Sequence, residues 1–358
     1  MRRLLLIMIA CAATLVAGQK IVGGPVVVNV TGSTATVVWI VESGQATLRA
    51  PGDAAARVSP SLRVEKTTLA GLKPDTRYEY GVGGTDGVTG SFKTPPNGAA
   101  PFQFIVFGDT RTRHDVHRRV TEAMLKHGVP DFVVHTGDLV ANGDESSLWP
   151  VFFDIEKDLL RQAAFFPALG NHERNSRDFY DFFQVTTPYY SFNWGNAHFI
   201  ILNSDIGNVA KSKFVRDAYW AEQTRWLEED LAGSQKADYR FVVAHHPPIS
   251  AASNRAPGND WMAALEPLFE KYHLTAGFFG HDHNYQHFLK NGIHYVTTGG
   301  GGAPLYDVAK PPAGITLKVA SIENFTTIRV DGKVARLEAI AVDGTKLDEI
   351  EFKAGAQQ

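Results

Sequence analysis

A set of carboxylate, amide and imidazole side chains recurs in this sequence just after short apolar runs. Asp109 closes "FIVFGD", Asp138 stands in "HTGDL", Asn171 and His172 in "LGNHE", His245 in "VAHHPP", and His281 and His283 in "GHDH". Carboxylate oxygens suit hard cations and imidazoles suit zinc, iron or manganese, so a mixed set is chemistry for metal ions. Five runs ending in the same kind of residue point to one shared site. Strand ends are rigid, and sites in open α/β sheets lie outside the carboxyl ends of the strands. Glycines at 108, 137, 170 and 280 stand just before the ligand types, where the chain must turn sharply over the sheet.

The elements that must position these residues are legible in the surrounding texture. "FQFIVF", "DFVVHT", "FFPALG", "HFIILN", "RFVVAH", "AGFFG" and "IHYVTT" read as strands, with helical patterns at 116–127, 218–231 and 260–272 between some of them. That alternation predicts an α/β layered domain over residues 97–358. Residues 26–94 differ: Val/Thr alternation such as "TATVVWIVE", with Gly, Pro and Asp punctuation, predicts an all-β sandwich over 19–96. "TPPNGAAP" at 94–101 reads as the linker. Near the C-terminus, two Asp-Gly turns between alternating strands predict hairpins that complete a sheet.

The order Asp, "GD", "GNHE", His and "GHxH" resembles the metallophosphoesterase (calcineurin-like phosphoesterase) superfamily, in its purple acid phosphatase-like branch. "LAGLKPDTRYEYGV" likewise resembles a fibronectin type III domain, in which the Tyr78 hydroxyl would bond back to the backbone. The resemblance implies a four-layer αββα domain holding two metal ions, iron, zinc or manganese. Asp138 would bridge them; Asn171, His245 and His281 would complete one site, and Asp109 and His283 the other. It also implies that His172 gives a proton to the leaving group or stabilises transition-state charge, with Glu173 orienting it. His245 fits the strand-end ligand, which leaves the adjacent His246 as either a pocket-rim residue or a solvated loop histidine.

Two positions depart from that pattern. Ala141 stands where the purple branch has a Tyr ligand three residues after the bridging Asp, so no purple colour is expected. Arg111 replaces the His that many superfamily members carry two residues after the first Asp. Arg only donates, so it is read as a phosphate contact or as part of a structural salt bridge. The missing imidazole could then come from His117, in the first turn of a helix starting near Asp115, or less readily from His114; the other reading of His117 is a surface or capping-region histidine. Tyr285 and His287, just beyond "GHDH", are further candidates for the pocket wall. "TTGGGGAPLYD" reads as a flexible loop that either approaches a ligand or merely connects strands.

"MRRLLLIMIACAATLVAG", residues 1–18, reads as a signal peptide for secretion or periplasmic export. Its apolar run is shorter than the ~20 residues of a spanning helix, so no membrane span is expected in the mature chain. Cys11 is the single cysteine, so disulfides do not hold the mature fold. The formal charge is −3, and losing Arg2 and Arg3 takes it to −5, which leaves no basic field for nucleic acid. The function expected is an exported, dinuclear, acid phosphatase-like phosphoester hydrolase using a metal-bound hydroxide, with monoesters ahead of diesters. The alternatives are a phosphodiesterase of the same superfamily, or a non-catalytic surface protein with a structural metal core. Oligomeric state and substrate identity are not encoded in these motifs.

Overall fold

The short apolar runs are strands buried on both faces, which is why they show no period-two alternation. A computed structural model describes residues 9–10, 20–52, 55–83, 87–309 and 311–354; the leader expected over 1–18 lies outside them apart from Ile9 and Ala10. The N-terminal strands are β1 (Ile9–Ala10), β2 (Lys20–Val28), β3 (Thr34–Leu48), β4 (Arg57–Ala70), β5 (Arg77–Val82) and β6 (Val88–Lys93). Next come β7 (Phe102–Phe107), α1 (His114–His127), β8 (Phe132–His135), α2 (Trp149–Leu160), β9 (Ala164–Pro167) and α3 (Arg177–Phe183). The second half runs β10 (Tyr190–Trp194), β11 (Ala197–Ile201), α4 (Lys213–Gly233), β12 (Tyr239–Ala244), α5 (Asp260–Ala263), α6 (Glu266–Lys271), β13 (Ala276–Phe279), β14 (Tyr285–Lys290) and β15 (Ile293–Thr298). It closes with β16 (Thr316–Ala320), β17 (Asn324–Asp331), β18 (Val334–Ala341) and β19 (Lys346–Lys353).

Two large sheets face one another. One has the order β10-β11-β12-β13-β15-β14-β16 and the other β19-β18-β17-β7-β8-β9-β2-β3-β4. Within them β7-β8-β9 and β11-β12-β13 are parallel runs, so their C-terminal ends all open on the same side. Phe104, Phe132, Phe199, Phe241 and Phe278 fill the space between the sheets; the Phe104 and Phe132 rings stack at 4.9 Å. On the outer face of the nine-stranded sheet, α1, α2 and α3 cover Val26, Ile105, Val133 and Phe165. On the outer face of the seven-stranded sheet, α4, α5 and α6 cover Ile200, Val242 and Phe279.

The N-terminal strands adjoin the large sheet. Val27 of β2 pairs in parallel with Ala164 of β9, so β2, β3 and β4 extend the large sheet and its hydrogen bonding crosses the boundary expected at 96/97. β5 and β6 form a smaller sheet whose Tyr78, Tyr80 and Phe92 pack into the same cluster as Val37, Trp39 and Val41. The Tyr78 hydroxyl accepts the Lys73 N–H at 2.8 Å. The C-terminal hairpins turn at Gly332 and Gly344, both with positive φ, and β17 joins the sheet against β7. The helical pattern at 260–272 is two short helices, because Pro267 can start a helix but cannot continue one. Trp39, Trp194 and Trp220 are buried in the core.

Candidate metal centre

The candidate ligands come from the open ends of the parallel strands in both sheets. Asp109 follows β7, Asp138 follows β8, Asn171 and His172 follow β9, His245 follows β12, and His281 and His283 follow β13. Asp109, Asp138 and His281 hold left-handed backbones, with φ of 61°, 59° and 65°. Such conformations in non-glycine residues cost energy and cluster at functional sites. The preceding glycines mostly supply room rather than φ. A Cβ at Gly170 would collide with Asp138 N, one at Gly108 with the Thr136 hydroxyl, and one at Gly280 would lie 2.5 Å from Asp109 Oδ2.

Two groups of donors result. Asp109, Asp138 and His283 place one ligand atom each within 4.8 Å of one another, and all three are buried. His283 Nε2 lies 3.5 Å from Asp109 Oδ1. The second group gathers His245, His246 and His281 under the same limit. Asn171 Oδ1 is 3.0 Å from His281 Nδ1 and 3.1 Å from His245 Nε2, and those two nitrogens are 3.2 Å apart. Asp138 stands between the groups, its Oδ1 3.3 Å from His245 Nε2.

The protons on the rings are fixed by carbonyls. His245 Nδ1 donates to Thr136 O at 2.9 Å and His283 Nδ1 to Pro304 O at 2.6 Å, so in the neutral rings both Nε2 lone pairs face the centre. Outward N–H bonds of this kind orient metal-ligating histidines. Burial keeps these rings neutral, pushing His245 down to about 3, His283 to about 4, and His281 well below the ordinary histidine range. Burial, then the neighbouring Asp138 charge, pushes the Asp109 carboxyl well up. Buried imidazole lone pairs converge here with a carboxyl whose charge burial disfavours, and a cation relieves such an environment. The donor set therefore fits metal ions.

His172 lies beside this cluster without being one of its donors. Its backbone N–H binds Asp138 Oδ1 at 2.9 Å and its Nδ1 donates to Ala141 O at 2.7 Å, which leaves Nε2 3.9 Å from Asp138 Oδ2. Ala141, noted in the sequence for a missing side chain, thus orients His172 through its carbonyl. Glu173 does not perform that task. Its buried carboxylate accepts N–H groups from Asp138, Leu139, Val140 and Gly170 at 2.8–3.3 Å, tying the "GD" loop to the "GN" loop. Burial pushes the His246 ring down to about 3, and it shares a hydrogen bond with Ser204 Oγ at 2.9 Å; its ring lies 4.1 Å from that of His281.

Other expectations need correction. His117 is not gathered with the donors: it is 1% exposed, its Nε2 lies 2.5 Å from Glu156 Oε1, and its ring stacks on Phe152. Its place on the buried face of α1 turns it toward α2. The His117→Ala variant is expected to keep the wild-type metal content while losing about 1–3 kcal/mol, because Glu156 is left buried with one partner fewer; elemental analysis and urea unfolding read the two effects. Arg111 forms an ion pair, Nε to Asp138 Oδ2 at 3.4 Å, the salt-bridge alternative read from sequence. Tyr285 and His287 bind Asp348 between the sheets, at 3.0 and 2.7 Å, and do not wall the site. The tetraglycine segment is buried and packed: Gly301 N donates to Gly108 O, and Ala303 N to Asp109 O.

Sequence reasoning had no means of finding the carbonyls of Thr136, Ala141 and Pro304, since a backbone ligand leaves no residue-type signal. Asp205 was also missed; it is buried near His172, and burial raises it to about 6.

Comparison with known proteins gives consistent results. The calcineurin-like phosphoesterase family matches residues 102–285. The chain is 28% identical over 277 residues to an uncharacterized protein of Mycobacterium tuberculosis, covering 64% of this chain and 52% of that one. It is 28% identical over 270 residues to purple acid phosphatase 21 of Arabidopsis thaliana, covering 68% and 59%. It thus spans between half and three-fifths of the length of these curated relatives. The structure of a purple acid phosphatase from yellow lupin (Lupinus luteus) seeds superimposes with a TM-score of 0.72 at 19% identity, over 92% of this chain and 74% of that one, a likeness of fold.

Proposed function

This chain belongs to the calcineurin-like phosphoesterase family, and from that premise we propose that it is an exported, dinuclear, metal-dependent hydrolase of phosphomonoesters. The observation that carries the reading is the position of Asp138, beside Asp109 and His283 and 3.3 Å from His245, which with His281 meets Asn171 Oδ1. When bound, two ions of iron, zinc or manganese would supply a deprotonated water as nucleophile and neutralise the phosphoryl oxygens. In this reading Asp138 would be shared by the two ions, Asp109 with His283 would hold one and Asn171, His245 and His281 the other, and His246 and the Arg111 guanidinium, beyond its Nε ion pair with Asp138, would contact the phosphoryl oxygens. His172, as an imidazolium whose Nδ1–H stays on Ala141 O, would give its Nε2 proton to the departing alkoxide and be left neutral. The facing sheets and outer helices are the four-layer αββα scaffold of residues 97–358, with the fibronectin-like strands of 19–96 built onto its edge.

The leader read at 1–18 goes with secretion or a periplasmic location. Among the described residues no helix is long and apolar enough to cross a membrane. The test is metal analysis of the purified chain after loading with manganese, zinc or iron, with turnover of nitrophenyl phosphate and bis-nitrophenyl phosphate. Two metals per chain and faster turnover of the monoester are expected. Fewer than one metal per chain, or no turnover of either ester, overturns the reading; faster turnover of the diester moves it to a phosphodiesterase.

A further inference from the structure

A cleft of about 250 Å³ opens directly from the second donor group, running from His246 and His281 to Asn254, Arg255 and Asn259. Its size is just under the ~300–1,000 Å³ of typical ligand pockets, so it suits a small substrate's leaving group. Arg255 is its one permanent cation. Among the described residues no carboxylate pairs with that guanidinium, which instead lies over the Tyr306 ring, 5.5 Å from its centroid, with Nη2 3.4 Å from the Tyr306 hydroxyl. The other neighbour of Tyr306 is a candidate ligand: its ring stacks on His283 at 4.1 Å and 22°, and its N–H binds His283 O at 3.0 Å. One stacked column therefore links the guanidinium to the metal centre.

The segment carrying Arg255 is fixed by backbone bonds. Ser250 N binds Pro257 O, Ser253 N binds Asp307 O, Gly258 N binds Arg255 O, and Asn259 N binds Pro247 O, all at 2.9–3.1 Å. Gly258 has φ of 131°, and a Cβ there would strike Pro248 O, so the turn requires glycine. Asp282 also lines the cleft, but its Oδ2 is held by Ser250 Oγ and Gln286 Nε2, at 2.5 and 2.9 Å. An arginine laid on an aromatic face keeps its planar fork of donors in place, which suits bidentate capture of phosphate or carboxylate.

We infer that this cleft is a second anion subsite, in which Arg255, positioned by Tyr306, selects phosphomonoesters whose leaving group carries a further phosphate or carboxylate. The inference rests on the hydrolase reading above and names its substrate class. An enzyme with only the metal centre would hydrolyse esters without regard to such a group; one with this subsite prefers them.

The test compares propane-1,3-diol bisphosphate with propyl phosphate, using the metal-loaded full chain and its Arg255→Ala and Arg255→Lys variants. The wild type is expected to favour the bisphosphate by at least about tenfold in kcat/KM, mostly through KM. Arg255→Ala should shrink that preference about 10- to 100-fold, the range of a charge-assisted contact, and Arg255→Lys should fall between. A preference unchanged within twofold in Arg255→Ala overturns the subsite. If the wild type binds two metals yet turns over neither ester, the hydrolase reading is what has failed. Calorimetric titration with the bisphosphate then decides the subsite alone: binding at least tenfold weaker in Arg255→Ala supports it, and equal binding overturns it.

Discussion

Replacing Asp138 by Ala is expected to lower metal content from the two ions proposed to fewer than one per chain and turnover of nitrophenyl phosphate by at least about a thousandfold, or ~4 kcal/mol. The expectation follows from how many groups converge on one carboxylate. Asp138 is 1% exposed; its Oδ1 meets His172 N–H and lies 3.3 Å from His245 Nε2, while its Oδ2 faces Arg111. Deletion removes the one side chain shared by both donor groups. It also leaves the Arg111 cation largely buried without its partner, so the remaining sites become less favourable for a second positive ion. Asp138→Asn separates shape from charge: it preserves the loop, and is expected to hold one metal weakly with turnover still depressed. Metal analysis beside turnover reads both variants. Full metal content with wild-type turnover in Asp138→Ala would falsify a bridging role.

The candidate ligands were legible because each follows an apolar strand and all but His245 also follow a glycine, and both features record physical constraints. The strand positions the side chain, and the glycine vacates space that a Cβ would fill, as Gly170 does against Asp138 N. The fate of the N-terminal strands was not legible. The apolar run in "TATVVWIVE" reports that β3 lies in a core, and it is the same whether the neighbouring strand closes a separate sandwich or extends the large sheet through Val27 and Ala164. His117 fails for a related reason. The sequence offered a metal ligand or a surface or capping-region histidine, and only the packing of α2, whose Glu156 lies 39 residues downstream, decides that it is buried and which group it meets. Tyr285 and His287 were readable in principle. They alternate along β14, and period two assigns both to the same inward face, where Tyr285 is fully buried.

The motif "GNHE" shows where residue type and role separate. Its Glu173 works for the scaffold, holding four backbone N–H groups, so its charge is spent on loop geometry. Its His172 is the residue with chemistry left over, because Ala141 O accepts the Nδ1–H bond and Nε2 remains beside Asp138 with 30% of the side chain exposed.

That assignment makes a graded prediction for His172→Ala. Both metals are expected to stay bound, since no donor is lost. Turnover of an alkyl phosphate such as propyl phosphate is expected to fall about 10²–10⁴-fold, the range for removing a positioned proton donor. Nitrophenyl phosphate should lose much less, because nitrophenolate departs with little need of a proton, whereas an alkoxide departs poorly without one. The slope of log kcat/KM against leaving-group pKa should therefore steepen in the variant. A purely structural His172 would instead lower all esters by one factor, and a ligating His172 would lower metal content first. The gradient, measured at constant metal occupancy, separates these three roles on the same purified protein.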